Sequence, residues 1–266
     1  MMESMMKDAI KPFNIAKSLT QEEWIAAITQ PPREVIGSNS KLAKTDFWQW
    51  SIPALTAAVV IRGKLVDGYK TCPMAGECAR LCYACQGGYV FKSSMVAHTR
   101  NLQAYFDDPM DLADRIVKDI ASKRKLRAFR IHDSGDFFNR TYAKWWYGII
   151  ERLPNIQFYA YTKQVAMFKN TMMAVHKPKN LTLIYSYGGK QDDLIDPTTD
   201  RHSKVWPEKS AMLAAGYADT TETDEHAANP DIKNIGLVYH GVLGVDKAFS
   251  NASMGTNKTP QKEIAA

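Results

Sequence analysis

The sequence predicts an α/β fold in which a parallel sheet is covered by outer helices. Two observations carry the prediction. Through the middle of the chain apolar residues recur first with a helical and then with a strand period, and the segments alternate across short connections. Strand–helix–strand alternation of this kind builds right-handed crossovers and so makes neighbouring strands parallel. A third observation agrees with these two. Each predicted strand turns polar or glycine-rich at its carboxyl end, the edge where such sheets bind ligands.

Taken in order, residues 1–45 read as an N-terminal arm with one helix at 18–29, where Thr20 and Glu23 form a capping-box signature and Pro31-Pro32 stop it. Residues 46–249 form one domain. Within it Asp108-Pro109 opens a helix whose Leu112, Ile116 and Ile120 recur every fourth residue. A strand follows at 128–132. Asn139 caps the next helix, where Tyr142, Trp145, Trp146, Ile149, Ile150 and Leu153 make an apolar stripe ended by Pro154. Further strands are expected at 156–162, 181–187 and 235–240, with a helix at 165–175 between the first two. The strand ends read His132-Asp133-Ser134-Gly135-Asp136, Thr162-Lys163, Ser186-Tyr187-Gly188-Gly189 and His240-Gly241. Residues 250–266 are small and polar and read as a flexible tail.

Composition excludes several classes. With 45% hydrophobic and 11% aromatic residues the chain can bury a full core, unlike a disordered one. No apolar run approaches the roughly 20 residues that cross a bilayer, and Glu3, Lys7, Asp8 and Lys11 interrupt any secretory signal. A cytoplasmic protein without membrane contact is therefore expected. The net charge of +6 is uneven: residues 186–231 carry ten acids and four bases, leaving +12 on the rest. Lys123-Arg124-Lys125, Arg127 and Arg130 form a basic cluster that suits weak nucleic-acid contact or, equally, a solvated helix end.

All four cysteines fall in one segment, Cys72, Cys78, Cys82 and Cys85, separated by five, three and two residues. Four thiolates so close in a reducing compartment repel unless a cation neutralises them, so a metal site is favoured over a disulfide scaffold. Structural zinc usually takes two short knuckles with a longer spacer, and only one knuckle is present. A [4Fe–4S] cluster is wider, takes thiolates from a wrapping loop, and suits unequal gaps. The spacing Cys78-x3-Cys82-x2-Cys85 is that of enzymes using S-adenosylmethionine (SAM) as a radical source. Three cysteines leave one iron open to SAM; four close the cluster, so Cys72 is the pivotal residue.

The ordered motifs Ser51-Ile52-Pro53, Cys72-Pro73-x-Ala75-Gly76-x-Cys78-x3-Cys82-Tyr83-Ala84-x2-Gly87-x-Tyr89, Asn101, His132-x-Ser134-Gly135-Asp136 and Phe158-Tyr159-Ala160-Tyr161-Thr162-Lys163 resemble the phage gene 88 protein family over residues 38–190. The resemblance implies a bacteriophage-encoded iron–sulfur protein of the infected host's cytoplasm, with Cys72, Cys78 and Cys82 as its firmest ligands. The order of parts is also similar to a radical SAM partial (β/α) barrel, with a cluster loop at 71–89. In that likeness residues 54–61 are the first strand, and Ser134, Gly135 and Asp136 occupy the place of the turn that contacts SAM. The departures are the extra Cys72, alanine before Cys85, and aspartate in place of glutamate.

Several residues carry two readings. Asp133 and Asp136 can serve a ligand or acid–base role, and Asp136 can instead cap the next helix. His132 alternates with Phe129 and Ile131, which points it toward a barrel interior or makes it a hydrogen-bonded core residue. Lys163 can hold a carboxylate or phosphate, or lie exposed. Tyr159 and Tyr161 share a face and can stack on adenine or pack under a helix. Tyr83 is placed to shield the cluster, and Gly188-Gly189-Lys190 reads as a turn. The partner is an unassigned substrate, or a host protein met through the acidic segment. The function expected is SAM-dependent radical chemistry; the competing readings are a closed-cluster redox protein and a zinc-stabilised nucleic-acid-binding module.

Overall fold

A computed structural model describes residues 19–239, so the expected strand end at His240-Gly241, the 250–266 tail and the first part of the arm lie outside the described residues. Seven strands form one sheet: β1 (Phe47–Trp50), β4 (Ala128–Ile131), β5 (Gln157–Thr162), β6 (Leu181–Ser186), β7 (His202–Trp206), β8 (Ala218–Asp219) and β9 (Asn234–Val238). Their order is β1-β4-β5-β6-β7-β9-β8, every neighbouring pair is parallel, and the sheet curls into a half-barrel. The α/β partial barrel is thus the architecture of this chain. Among the described residues no helix is long and apolar enough to cross a membrane.

The period of two along each strand sorts side chains between two cores. Phe129, Ile131, Phe158 and Ala160 face outward against α4 (Pro109–Ser122) and α5 (Arg140–Glu151), which bury Leu112, Ile116, Ile120, Tyr142, Trp146, Ile149 and Ile150. Ala128, Tyr159, Ile184 and Ile235 face inward and pack with Leu42 of α2 (Ser40–Ala43) and with Ala227 and Ala228 of α9 (Glu225–Ala228). Helix starts follow the sequence. Asn139 Oδ1 accepts from Tyr142 N–H at 2.8 Å, and Asp108 Oδ1 accepts from Met110 and Asp111 N–H, both at 3.0 Å. Helix α1 (Gln21–Ile28) carries the full capping box of Thr20 and Glu23. It buries Trp24 and Ile28 against Ala58 and Val96.

Three expectations are corrected. Residues 54–61 are not the first strand of the sheet; β1 is. Thr56–Ile61 (β2) instead pairs antiparallel with Lys64–Lys70 (β3) as a separate hairpin. The reason is the two-residue link Arg62-Gly63, whose φ values of 52° and 73° give the left-handed geometry that joins twisted antiparallel strands. The helix expected at 165–175 is two helices, α6 (Val165–Phe168) and α7 (Met172–Val175). Asn170 between them has φ 54°, and Thr171 Oγ1 starts the second by accepting from Met173 N–H at 3.2 Å. Finally, α3 (Lys92–Asp107) occupies a stretch with no predicted element. Its buried face includes Thr99 and Gln103, and Gln103 brackets Val60 with bonds of 2.7 and 2.8 Å.

Candidate functional site

The cysteine segment runs from β3 to α3 through three 3-10 turns, Glu77–Leu81, Tyr83–Cys85 and Gly87–Val90. It is pinned at three places, each beyond a different strand. After β1, Leu55 N–H donates to Cys72 Sγ at 3.3 Å, and the Leu55 carbonyl accepts from Thr71 and Cys72 N–H. After β6, the Gly188 carbonyl accepts from Gly76 N–H at 3.2 Å and Cys78 N–H at 3.0 Å, while Ala75 bridges to Gly189. After β4, Tyr83 hydroxyl donates to the Asp133 carbonyl, and Tyr89 hydroxyl donates to Asp133 Oδ2 at 2.7 Å.

Gly188-Gly189-Lys190 is therefore a docking platform rather than a simple turn. A Cβ on Gly76 would lie 2.8 Å from the Gly189 carbonyl carbon, and Gly188 has φ 95° with the Cys78 Cβ close by. Asp192 holds the Gly188 and Gly189 N–H groups at 2.7 and 2.8 Å, and Lys190 Nζ donates to the Pro73 carbonyl at 3.0 Å.

Inside the half-barrel lies a cavity of about 390 Å³, at the lower end of the range for small-molecule sites. Cys72, Cys78 and Cys82 line it; Cys85 instead lines a hollow of about 40 Å³ beside Tyr89, Met95 and His98. Burial, and then Asp136, push the Cys72 thiol up, and burial raises Cys78 against the opposing charge of Lys163. Cys82 and Cys85 are hydrogen-bonded to each other, which holds Cys82 down at about 7 and drives Cys85 up. Among the described residues no three His, Cys, Asp or Glu side chains gather closely enough to share one metal ion. Three thiols line one cavity, and thiolate is the donor type that can hold either an iron–sulfur cluster or zinc.

Ser134, Gly135, Asp136 and Lys163 all line the cavity, but the side-chain polar groups of Ser134, Asp136 and Lys163 are taken up by the protein. Ser134 Oγ donates to the Ile52 carbonyl at 2.6 Å. Gly135, with φ 86°, makes room for Ile52, whose Cγ1 would lie 2.3 Å from an added Cβ. Asp136 accepts from Thr162 Oγ1, Lys163 N–H and Phe137 N–H at 2.7, 2.9 and 2.7 Å. Burial raises its pKa while those bonds oppose the rise. It does not cap the helix after it, a role filled by Asn139. Lys163 Nζ spends three protons on Ser186 O, Ser186 Oγ and Tyr187 O, so it is not the exposed lysine of the simpler reading. Its charge stands beside Cys78 and Cys82.

His132 has φ 66°, which turns its side chain toward the helices. There Nε2 meets Tyr142 hydroxyl at 2.9 Å among Phe137 and Trp146, and the imidazole is a core group rather than an interior ligand. Tyr159 is buried and donates to Asp224 at 2.9 Å, leaving Tyr161 as the tyrosine of that pair on the cavity wall.

Arg130 is the main correction to the charge reading. It leaves the surface cluster and points into the cavity, where Nη1 pairs with Asp224 at 3.0 Å. The signal was present in the sequence: Arg130 lies between Phe129 and Ile131, so when those two face the helices it must face the interior. Lys41 and Asp133 also line the cavity, and Asp224 stands behind them. Lys41 and Asp224 went unread because the contacts that matter join residues 41, 130 and 224 across the fold.

A family model described as "Gene product 88" matches residues 31–250. The gene 88 protein of Mycobacterium phage D29 is 32% identical over 170 residues, covering 60% of this chain and 65% of that protein. The gene 88 protein of Mycobacterium phage L5 is 32% identical over 162 residues, covering 57% and 62%. The matched stretch thus spans less than two thirds of either relative. No solved structure matches.

Proposed function

From the premise that this chain belongs to the gene product 88 family, we propose that it is an iron–sulfur protein of radical-SAM-like design. In this reading Cys72, Cys78 and Cys82 hold a [4Fe–4S] cluster, and the adjoining cavity takes SAM or a related ligand. The observation that carries it is the parting of the cysteines: three line the large cavity at the carboxyl ends of the strands, and Cys85 does not. Three thiolates would leave one iron of such a cluster without a protein ligand, and the cluster, when bound, would supply one-electron chemistry to a molecule held beside it. The chain's own residues supply the rest. Lys163 places a fixed positive charge beside Cys78 and Cys82, and Tyr83 and Tyr89 tie the loop to Asp133.

Two other readings meet specific observations. The contact of Cys85 with Cys82 favours a closed four-cysteine cluster with a redox or host-interaction role. A zinc-stabilised nucleic-acid module is less favoured, because Lys123, Arg124, Lys125 and Arg127 precede the amino end of β4, opposite the cysteines.

Anaerobic purification with iron, sulfide and EPR measurement tests all three. The expected result is about four iron and four sulfide per chain, an EPR signal on reduction that changes when SAM is added, retention of iron in C85A and loss in C72A. A reduced signal indifferent to SAM, with iron lost in C85A as well, would favour the closed cluster. A colourless protein carrying one zinc would overturn the iron–sulfur reading.

A further inference from the structure

The floor of the same cavity carries a second feature, and its chemistry does not depend on a cluster. Lys41 and Arg130 both line the cavity, with side chains 24% and 12% exposed. Both converge on Asp224, which is fully buried, at 2.5 Å and 3.0 Å. Asp224 also accepts the Tyr159 hydroxyl at 2.9 Å. Two buried cations therefore share one carboxylate that is already serving a third donor.

Both side chains line the cavity and keep donors that no hydrogen bond among the described residues uses. Arg130 Nε donates to the His132 carbonyl at 3.2 Å and Nη1 to Asp224, while Nη2 makes no hydrogen bond among the described residues. Among the described residues the Lys41 ammonium makes an ion pair with Asp224 alone. Asp133, another cavity carboxylate, is held on Oδ2 by Gln49 at 2.8 Å and Tyr89 at 2.7 Å, both neutral donors, and has no ion pair among the described residues. Burial first, and the Arg130 charge with it, push Lys41 below its ordinary value against the pull of Asp224 and Asp133, whereas Asp224 and Asp133 help hold Arg130 above its own in spite of burial. The guanidinium lies 5.0 Å from the Tyr161 ring centroid, which fixes its plane.

We propose that Lys41 and Arg130 form an oxyanion-binding site on the cavity floor, which takes the carboxylate or phosphate of a small-molecule ligand. A rigid guanidinium edge beside an ammonium is the donor set that recognises such groups, and charge-assisted bonds of this kind are the strong ones. An anion there gives a charged acceptor to the donors that Asp224 leaves unused. The size of the cavity selects a small molecule over a polymer. The proposal gives a ligand class to the cavity named above. It rests on the reading of that cavity as a ligand site and not on the presence of a cluster.

The test titrates inorganic phosphate and, separately, acetate into the full-length protein as purified, at ionic strength matched with chloride, and follows binding by calorimetry and thermal midpoint. Saturable phosphate binding is expected, weakened at least tenfold in Lys41→Met and kept within threefold in Lys41→Arg. Circular dichroism of Lys41→Met should match the wild type, since Arg130 still partners Asp224; if that variant misfolds, Lys41→Gln replaces it. Phosphate binding more tightly than acetate identifies a phosphoryl ligand, and the reverse a carboxylate. The proposal is overturned if neither anion exceeds chloride, or if Lys41→Met or its replacement Lys41→Gln binds as the wild type does. Iron content is measured on the same samples, so an iron-free protein that still binds phosphate would sink the cluster reading and leave this one standing.

Discussion

His132 sits in an aromatic box, with its Nε2 at 2.9 Å from Tyr142 hydroxyl, and burial helped by the Arg130 charge lowers its pKa to about 3. The folded protein keeps it neutral where an unfolded chain, titrating near 6.5, takes up a proton. The stability it contributes is complete above pH 6.5 and is lost as pH falls toward 3. Between pH 7 and pH 5 the loss is about 2 kcal/mol, seen as a fall in urea-derived stability that H132Q lacks; parallel pH courses for the two proteins would contradict it. Cys82 gives a second prediction at this scale. In metal-free, reduced protein its alkylation by iodoacetamide should be half-maximal near pH 7, well before Cys72, and C85A should move it upward. Peptide mass mapping across pH reads both. The His132 charge state was hidden in the sequence because it depends on burial by the folded core, whereas the Cys82–Cys85 contact joins residues only three apart. Arg130 was legible, since the alternation around it already assigned its face.

At the level of elements, the parts written in one local signal were legible and those written in two were not. The strands β4, β5 and β6 and the helices α4 and α5 carry plain periods and caps within their own spans. Helix α3 escaped because Thr99 and Gln103 sit where apolar residues were sought, their burial made tolerable by hydrogen bonds to Met95 and Val60. Strand β2 looked like a sheet strand because an apolar run does not reveal its partner. Its own turn, Arg62-Gly63, did. The docking of the cysteine loop on Gly188 was likewise invisible, being a backbone contact between two loops. Gly188→Ala tests it: the φ of 95° and the closeness of Cys78 Cβ should cost about 2 kcal/mol. Hydrogen exchange should quicken across 72–90 while α5 is unchanged, and an equal rise in both would show a global effect instead.

Across the whole molecule, Asp224 stitches four elements together. It draws Lys41 from α2, Arg130 from β4 and Tyr159 from β5 to the start of α9. Removing its charge leaves two buried cations unpaired, so D224N should lower stability by about 3–5 kcal/mol, measured by chemical denaturation; a loss under 1 kcal/mol would mean that the pairing is dispensable. Basic residues at the opposite end are partly spent as well, Lys123 over Trp48 and Arg127 on Glu225. The docking of the cysteine loop also sets a clock. Gly188 follows Cys85 by roughly 100 residues, so at about 5–20 residues per second the ribosome delivers the platform some 5–20 s after the thiols. For that interval every newborn chain presents its four cysteines without the backbone that will hold them. A thiol reagent present in that interval meets Cys78 without the Gly188 carbonyl that later holds its N–H.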